Sequence, residues 1–492
     1  MAQGLKLRSI RCRSVLLLML SCIAFSLDED SLRSQIFPLL SGLDVATCSA
    51  VSQLWLSAQS DENLWQTLCA GAGGLQEFVV ASEGPLRWKA TYRAYMEAMV
   101  RWRLGQPASL YITGERLLQE GIGDDGLEIE DATSMLCGLC LEECWLVLAF
   151  NGGVVQFWKL PNAACSSTCT LPSNICEIDF DLRGQRLCAI LATRRVAIYD
   201  CSPALTSLGH VSLLELRSFE ELQFSPKHIA FWGPGLAVAT ERRIMVLGPE
   251  MELLYCIRDA LFWDMGKTFL IVRYQHGVVD LCHWDNDDLW VDSAVGLSEL
   301  NLLCGIGCKE GSPPKLLCER IVDGREQFSL LRFENFACWV AGIWTEVQAT
   351  PKLTSDHMAI ESLDGSGYIL QVLPGGRGLY CNESSLCLAN VRTTDIGAPL
   401  AGEVCSPDAH KPSSCFVSYA EASESGDHAL MLVAVPGPSL PARLGSLDLG
   451  SEDTDVFEDR QVLPAMSRRF YVVSDRLGIH IFDFGCGAFR KG

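Results

Sequence analysis

Four segments after about residue 130 pair an apolar run with a tight polar turn and a second apolar run, four more continue the series, and this recurrence constrains the fold more than any other feature of the chain. CWLVLAFNGGVVQFWKL (144–160), RLCAILATRRVAIYDC (186–201), GLAVATERRIMVLG (235–248) and FLIVRYQHGVVDLCHW (269–284) are regular. EQFSLLRFE (326–334), MAIESLDGSGYILQVL (358–373), HALMLVAV (428–435) and RRFYVVSDRLGIHIFDF (468–484) continue the series less evenly. Apolar runs bounded by turn residues are the sequence signature of β-hairpins. With the middle of the second strand as a marker, the series runs Phe157, Ile198, Val246, Leu281, Leu330, Val372, Leu432 and Ile481, about 46 residues per unit, near the period of a four-stranded propeller blade. A blade cannot bury both faces alone, so such units must stack around a common axis. The expectation is seven blades, with eight as the alternative and ASLYITG near residue 110 as a candidate closing strand. A pair of β-sandwiches is the competing architecture; it yields hairpins without a sustained period.

The chain is too long to be one small domain: 492 residues exceed the usual domain size several-fold. Apolar residues make up 49% and charged residues 20%, enough to form large cores and too apolar for a disordered polyelectrolyte. The 60 acidic and 39 basic side chains leave a formal charge of -21, which repels phosphate backbones and anionic lipid and argues against nucleic-acid binding. The 23 cysteines are odd in number and irregularly spaced, and many sit inside apolar strand-like runs. They read as reduced thiols packed as small hydrophobes, the usual state in cytosol or nucleus.

Residues 1–26 point the other way. Lys6, Arg8, Arg11 and Arg13 precede an apolar run from Val15 to Phe25, the layout of a secretory signal peptide, too short to span a bilayer comfortably. An extra helix or an anchor is the other reading, and it leaves membrane attachment open. The triplet Asn382-Glu383-Ser384 is a weak sign on the secretory side.

Downstream, Ser26 to Glu29 forms a capping-box pattern, and Leu32, Ile36, Leu39, Leu40 and Leu43 recur three and four apart as one helical stripe. Asp44 caps a second stretch in which Cys48, Val51, Trp55 and Ala58 share a face, and Ser60 to Asn63 starts a third, followed by Leu64, Trp65 and Leu68. Three helices in so few residues have too little interior to cover all of this apolar surface. The ordered series Leu32, Ile36-Phe37, Leu40, Asp44, Cys48, Val51-Ser52, Trp55 and Leu64-Trp65 resembles an F-box. Two departures from the family pattern stand out: LDED replaces the usual Leu-Pro start, and Pro38 falls late in the first helix, where it removes a backbone donor. The resemblance implies that the helices fold partly against a Skp-type adaptor and, through it, a cullin. It implies an adaptor-binding set of Leu32, Ile36, Phe37, Leu40, Val51, Trp55, Leu64 and Trp65, in which the two tryptophans fix the helices. The bland reading is a three-helix unit with all these residues in its own core.

Further on, Trp88, Tyr92, Tyr95, Met99 and Trp102 resume helical spacing, with Arg87, Lys89, Arg93, Arg101 and Arg103 as the one dense basic cluster. A helix with one aromatic and one basic face most simply docks on neighbouring domains with its charges in water. GIGDDG (121–126) matches a dinucleotide loop in form only, since no strand precedes it and two aspartates would repel a pyrophosphate. ICEIDFDLRGQRLCAILATRRVAIYD resembles a degenerate WD repeat, although the paired Gly-His and Trp-Asp signatures are absent.

Signs of chemistry are sparse. Cys137, Cys140 and Cys144 lack a second ligand pair at zinc-finger spacing, and His276, Cys282 and His283 read as ordinary strand residues. WDNDDLW (284–290) clusters carboxylates without the glycine and glutamate of a calcium loop. No nucleophile elbow, phosphate loop or helical zinc motif occurs. The expected organisation is therefore α+β and multidomain: a basic, hydrophobic N-terminal segment (1–26), an F-box (27–70), a helical linker (71–129) and a WD-repeat-like, mainly-β propeller (130–486). The expected function is a non-catalytic substrate receptor of a Skp-cullin-F-box ubiquitin ligase in cytoplasm or nucleus, with no cofactor and no metal, binding a target protein whose identity and contact residues the sequence does not specify. The alternatives are a secretory or membrane-anchored propeller, acting as a binding module or hydrolase, and an F-box scaffold that does not drive degradation.

Overall fold

The computed structural model describes residues 61–71, 75–79 and 87–122, most of 135–347, and from there to 485 the strands of the remaining sheets with some of their turns. The chain divides into two compact units, Met1–Ala98 and Met99–Gly492.

In the first unit, helix α1 (Glu62–Gly71) starts where Asp61 accepts the N–H of Asn63 at 3.0 Å, an acidic cap that satisfies an orphan donor and suits the positive end of the helix dipole. Leu64, Trp65 and Cys69 are buried along one face. Helix α2 (Arg87–Leu104) contains neither glycine nor proline. Within the first unit it buries Thr91, Tyr95 and Ala98, spaced four and three apart, with the Thr91 hydroxyl returned to the Arg87 carbonyl at 3.0 Å. Among the described residues, no helix is long and apolar enough to cross a membrane.

The second unit is a mainly-β, propeller-like succession of antiparallel sheets, eight among the described residues. The first sheet runs Leu136–Glu142, Trp145–Phe150, Val154–Lys159 and Ala164–Thr170, each strand bonded to the next, and the second, third and fourth repeat that meander up to Asp288–Ala294. Later sheets follow the same order, one with a fifth strand and one with three. The eighth combines Pro464–Met466, Phe470–Ser474 and Gly478–Asp483 with a strand from far upstream, Ala108–Thr113, which pairs antiparallel from Ala108↔Asp483 to Thr113↔Gly478. ASLYITG thus closes the last sheet, as its sequence suggested. Each of the eight marker residues falls on a different sheet, whereas two sandwiches would distribute the strands over four.

The packing explains why the strands read as continuous apolar runs. Trp145–Phe150 is buried at every position. Its residues Val147 and Ala149 pack into a core shared with Ile178, Leu187 and Ala189 of the second sheet, while Leu146, Leu148 and Phe150 join Phe470, Val472 and Ile479 of the eighth. Alternate side chains therefore enter different cores, and both faces are covered. The second and third sheets share Cys188, Ile190, Leu236 and Val238, and the third and fourth share Ala237, Val246, Leu270 and Val272. Each such Leu, Ile or Val contributes about 1.5–3 kcal/mol on burial. Tight turns return the chain between inner strands: Gly153 has φ of +87°, and a Cβ there would sit 2.9 Å from the Ser173 carbonyl oxygen.

Candidate interaction surfaces

Of the residues expected to touch an adaptor, Leu32, Ile36, Phe37, Leu40, Val51 and Trp55 lie outside the described residues. Leu64 and Trp65 sit on α1 and are 4% and 3% exposed. Trp65 packs on Tyr92 with ring centroids 5.7 Å apart, and the Lys89 ammonium lies 5.5 Å from its ring centre. Tyr92 in turn meets Tyr95, and Tyr95 meets Phe78 edge-on. Glu62 accepts the backbone N–H of Trp88, which ties the start of α1 to the start of α2. Cys69 donates to the Trp88 carbonyl, and burial, followed by the Glu62 charge, pushes its thiol up to about 12. The basic cluster of α2 is partly committed: Arg93 pairs with Glu97 at 2.8 Å, and Arg101 donates to the Gly485 carbonyl at 2.7 Å.

In the second unit, one polar cluster braces the eighth sheet and another joins two sheets. At the closure, the Asp475 carboxylate accepts the N–H groups of Leu477 and Gly478 at 3.0 and 2.8 Å, His480 Nε2 lies 2.7 Å from it, and the Tyr111 hydroxyl donates to it at 3.3 Å from the closing strand. Nearby, Arg469 holds the fully buried Asp483 with two bonds of 2.9 Å.

Between the third and fourth sheets, buried Asp280 accepts three hydroxyls: Tyr255 at 2.6 Å, Tyr274 at 2.8 Å and Ser293 at 2.5 Å. Burial and the bond to Asp280 raise both tyrosines well above the ordinary phenol, so they stay protonated as donors. Neighbouring Cys282 is pushed up to about 12 by burial and then by the Asp280 charge. Sequence reading passed over this cluster, yet it left a trace: Asp280 is a carboxylate inside an apolar strand, where only a fully satisfied one is tolerated.

The residues weighed for metal chemistry are dispersed into strand packing. Cys137 and Cys140 donate to the Ala149 and Ile178 carbonyls, and burial pushes the Cys137 thiol up to about 12. Cys282 is buried while His283 beside it is half-exposed on the opposite face; His276 lies outside the described residues. Cys137, Cys169, Cys188 and Cys282 are thiols without a disulfide. Among the described residues, no group of three His, Cys, Asp or Glu is arranged to hold a metal.

No protein-family model and no curated protein matches the chain. Solved structures similar to it include Saccharomyces cerevisiae Sqt1 (TM-score 0.46, 9% identity, covering 71% of this chain and 96% of that one). The C-terminal WD40 domain of Sif2 (0.44, 8%, 71% and 95%) and the WD40 domain of Toxoplasma gondii coronin (0.36, 11%, 68% and 86%) are others. At such scores these likenesses carry no weight for function, and the propeller-like fold rests on the sheet order and the shared cores.

Proposed function

We propose that the chain is a non-catalytic target-binding subunit of a Skp-cullin-F-box ubiquitin ligase. Residues 27–70 engage a Skp-type adaptor and, through it, a cullin, while the propeller-like unit, its eight sheets taken as eight blades, holds the protein to be modified. The observation that carries this reading is the ordered apolar series from Leu32 through Trp55 to Leu64-Trp65, followed in one chain by a propeller-like unit. The start of α1 next to the end of that series, with Trp65 packed inside its own unit, suits a residue that fixes helices for others to present.

The chemistry needs no nucleophile from this chain. Tethering a target near a charged conjugating enzyme raises the local concentration of its lysines and turns an encounter into an intramolecular approach. The charge of -21 favours targets with basic surfaces. Such a complex works in cytoplasm and nucleus.

Capture of a Skp-type adaptor and cullin by the full-length chain tests the proposal. An Ile36→Asp, Leu40→Asp double substitution places two charges in the apolar contact and is expected to abolish capture while leaving the melting of the second unit unchanged. Equal capture by both proteins overturns the adaptor assignment.

A further inference from the structure

The fourth sheet ends in a strand, Asp288–Ala294, whose inner side pairs with Val279–Asp285 along its whole length. Among the described residues no strand pairs with its outer side. The first sheet differs, because Gly209–His210 lies parallel to its outer strand. Period-two alternation divides the residues of Asp288–Ala294 between two faces. On one face Ser293 bonds Asp280 and Leu289 packs on the core shared by the third and fourth sheets, with Val291 between them exposed. The other carries Asp288, Trp290 and Asp292, with His283 across the pair from Trp290.

Trp290 is 53% exposed, and Val291 beside it is exposed as well. Asp292 Oδ2 is buried without a hydrogen-bond partner, and His283 Nδ1 stands 3.8 Å from it. An uncovered edge with exposed apolar side chains is a template for another strand, and proteins ordinarily blunt it with charged side chains, above all lysine, or with proline. Asp288–Ala294 has no lysine or proline, and its only charges are aspartates, which turn away acidic strands but not basic ones. Other outer strands also expose leucines, at 214, 216, 253 and 254. There the charges are matched by arginines, Glu215 with Arg195 and Arg217 with Glu250, whereas the base beside Asp292 is His283 at 3.8 Å, charged only when protonated.

On Asp288–Ala294 the charge selects a partner. Two carboxylates flank the indole, each about 7 Å along the strand, and an indole face attracts a cation. Nucleic acid and anionic lipid are repelled by the same charges. We propose that this edge docks an extended basic segment of a partner protein, which pairs with Asp288–Ala294 as an added strand and lays a lysine or arginine over Trp290 between Asp288 and Asp292. Calling that partner the ligase target rests on the function proposed above.

The test uses the full-length chain and a fluorescent peptide of alternating lysine and valine, followed by anisotropy. The peptide is expected to bind, more weakly as salt rises, while its glutamate–valine counterpart does not. Trp290→Ala and the Asp288→Asn, Asp292→Asn double variant are each expected to weaken binding about tenfold, and Trp290→Phe to retain most of it. A lysine–valine peptide N-methylated at alternate backbone nitrogens keeps its charges, cannot complete the pairing, and is expected to bind weakly to the unaltered protein, so the result does not depend on a variant folding. Failure of the lysine–valine peptide to bind, or equal binding by the unaltered protein and both variants, overturns the proposal. Adaptor capture without peptide binding removes the docking edge alone; peptide binding without adaptor capture removes the ligase reading alone.

Discussion

Trp102 and Phe484 stack with ring centroids 3.6 Å apart and planes 13° from parallel. Trp102 ends the buried stripe of α2, and Phe484 immediately follows the last strand of the eighth sheet. Arg101 adds a bond to the Gly485 carbonyl, so the beginning of the second unit is fastened to its end by a ring stack, a charge-assisted bond and the closing strand together.

Removing the stack leaves a large void, because Trp102 is among the most completely buried side chains. Trp102→Ala is expected to cost about 3–5 kcal/mol, read as a lower midpoint in denaturant with intrinsic fluorescence as the probe. Trp102→Phe keeps most of the contact and is expected to cost much less.

Gly478 lies opposite Thr113 in the closing pair, and a Cβ at that position would sit 2.2 Å from the Ile112 carbonyl oxygen and 2.7 Å from the Tyr111 ring. Gly478→Ala is expected to push the closing strand away. Amide hydrogen exchange is the measurement: protection in Ala108–Thr113 is expected to fall well before that of Trp145–Phe150.

Deleting the acceptor at Asp280 leaves the Tyr255 and Tyr274 hydroxyls, 2.7 Å apart, with only each other as a partner and takes the acceptor from Ser293. Asp280→Ala is expected to destabilise by about 2–4 kcal/mol, while Tyr255→Phe, which removes one donor and leaves the carboxylate two others, is expected to cost about 1 kcal/mol. Thermal melts of the two variants in parallel give the comparison.

Buried thiols set the alkaline limit. Burial above all pushes Cys137, Cys169, Cys282 and Cys318 up to about 12 from an ordinary 9.0. Their folded values lie above their unfolded values, so the stability they contribute is complete below the unfolded value and is lost as pH rises toward the folded one. Melting in reductant is expected to be level from about pH 7 to 8.5 and to fall between about pH 9 and 12.

Much of the second unit was legible because its inner strands obey two simple constraints. Both faces are covered, so runs such as WLVLAF are apolar throughout, and the turns between them are short and polar. The closing strand ASLYIT is only partly buried and was visible from its β-forming run ahead of the first hairpin, but its partner was not: pairing Tyr111 with His480 is a long-range choice that no local spacing encodes. The Asp280 cluster escaped because its tyrosines come from two different sheets, and only the fold brings their hydroxyls to one carboxylate. Trp290 lies at the end of WDNDDLW, a segment that reads as a carboxylate cluster, and only the strand alternation places its indole between two aspartates on one face. On α1, Leu64 and Trp65 read as part of an adaptor-binding set, and the Tyr92 ring that packs on Trp65 comes from the far side of a glycine-containing connection, which local spacing does not reveal.

The late arrival of the last sheet has a consequence for biosynthesis. Tyr111 waits for Asp475, 364 residues further along, and a ribosome adding roughly 5–20 residues per second spends about 20–70 s on that interval. Throughout it the upstream ribbon emerges with its amides bare and its partner not yet made. An unpaired strand edge is open to association with other chains, so synthesis with fewer cotranslational chaperones is expected to shift more of the nascent protein into aggregates, read as the insoluble fraction.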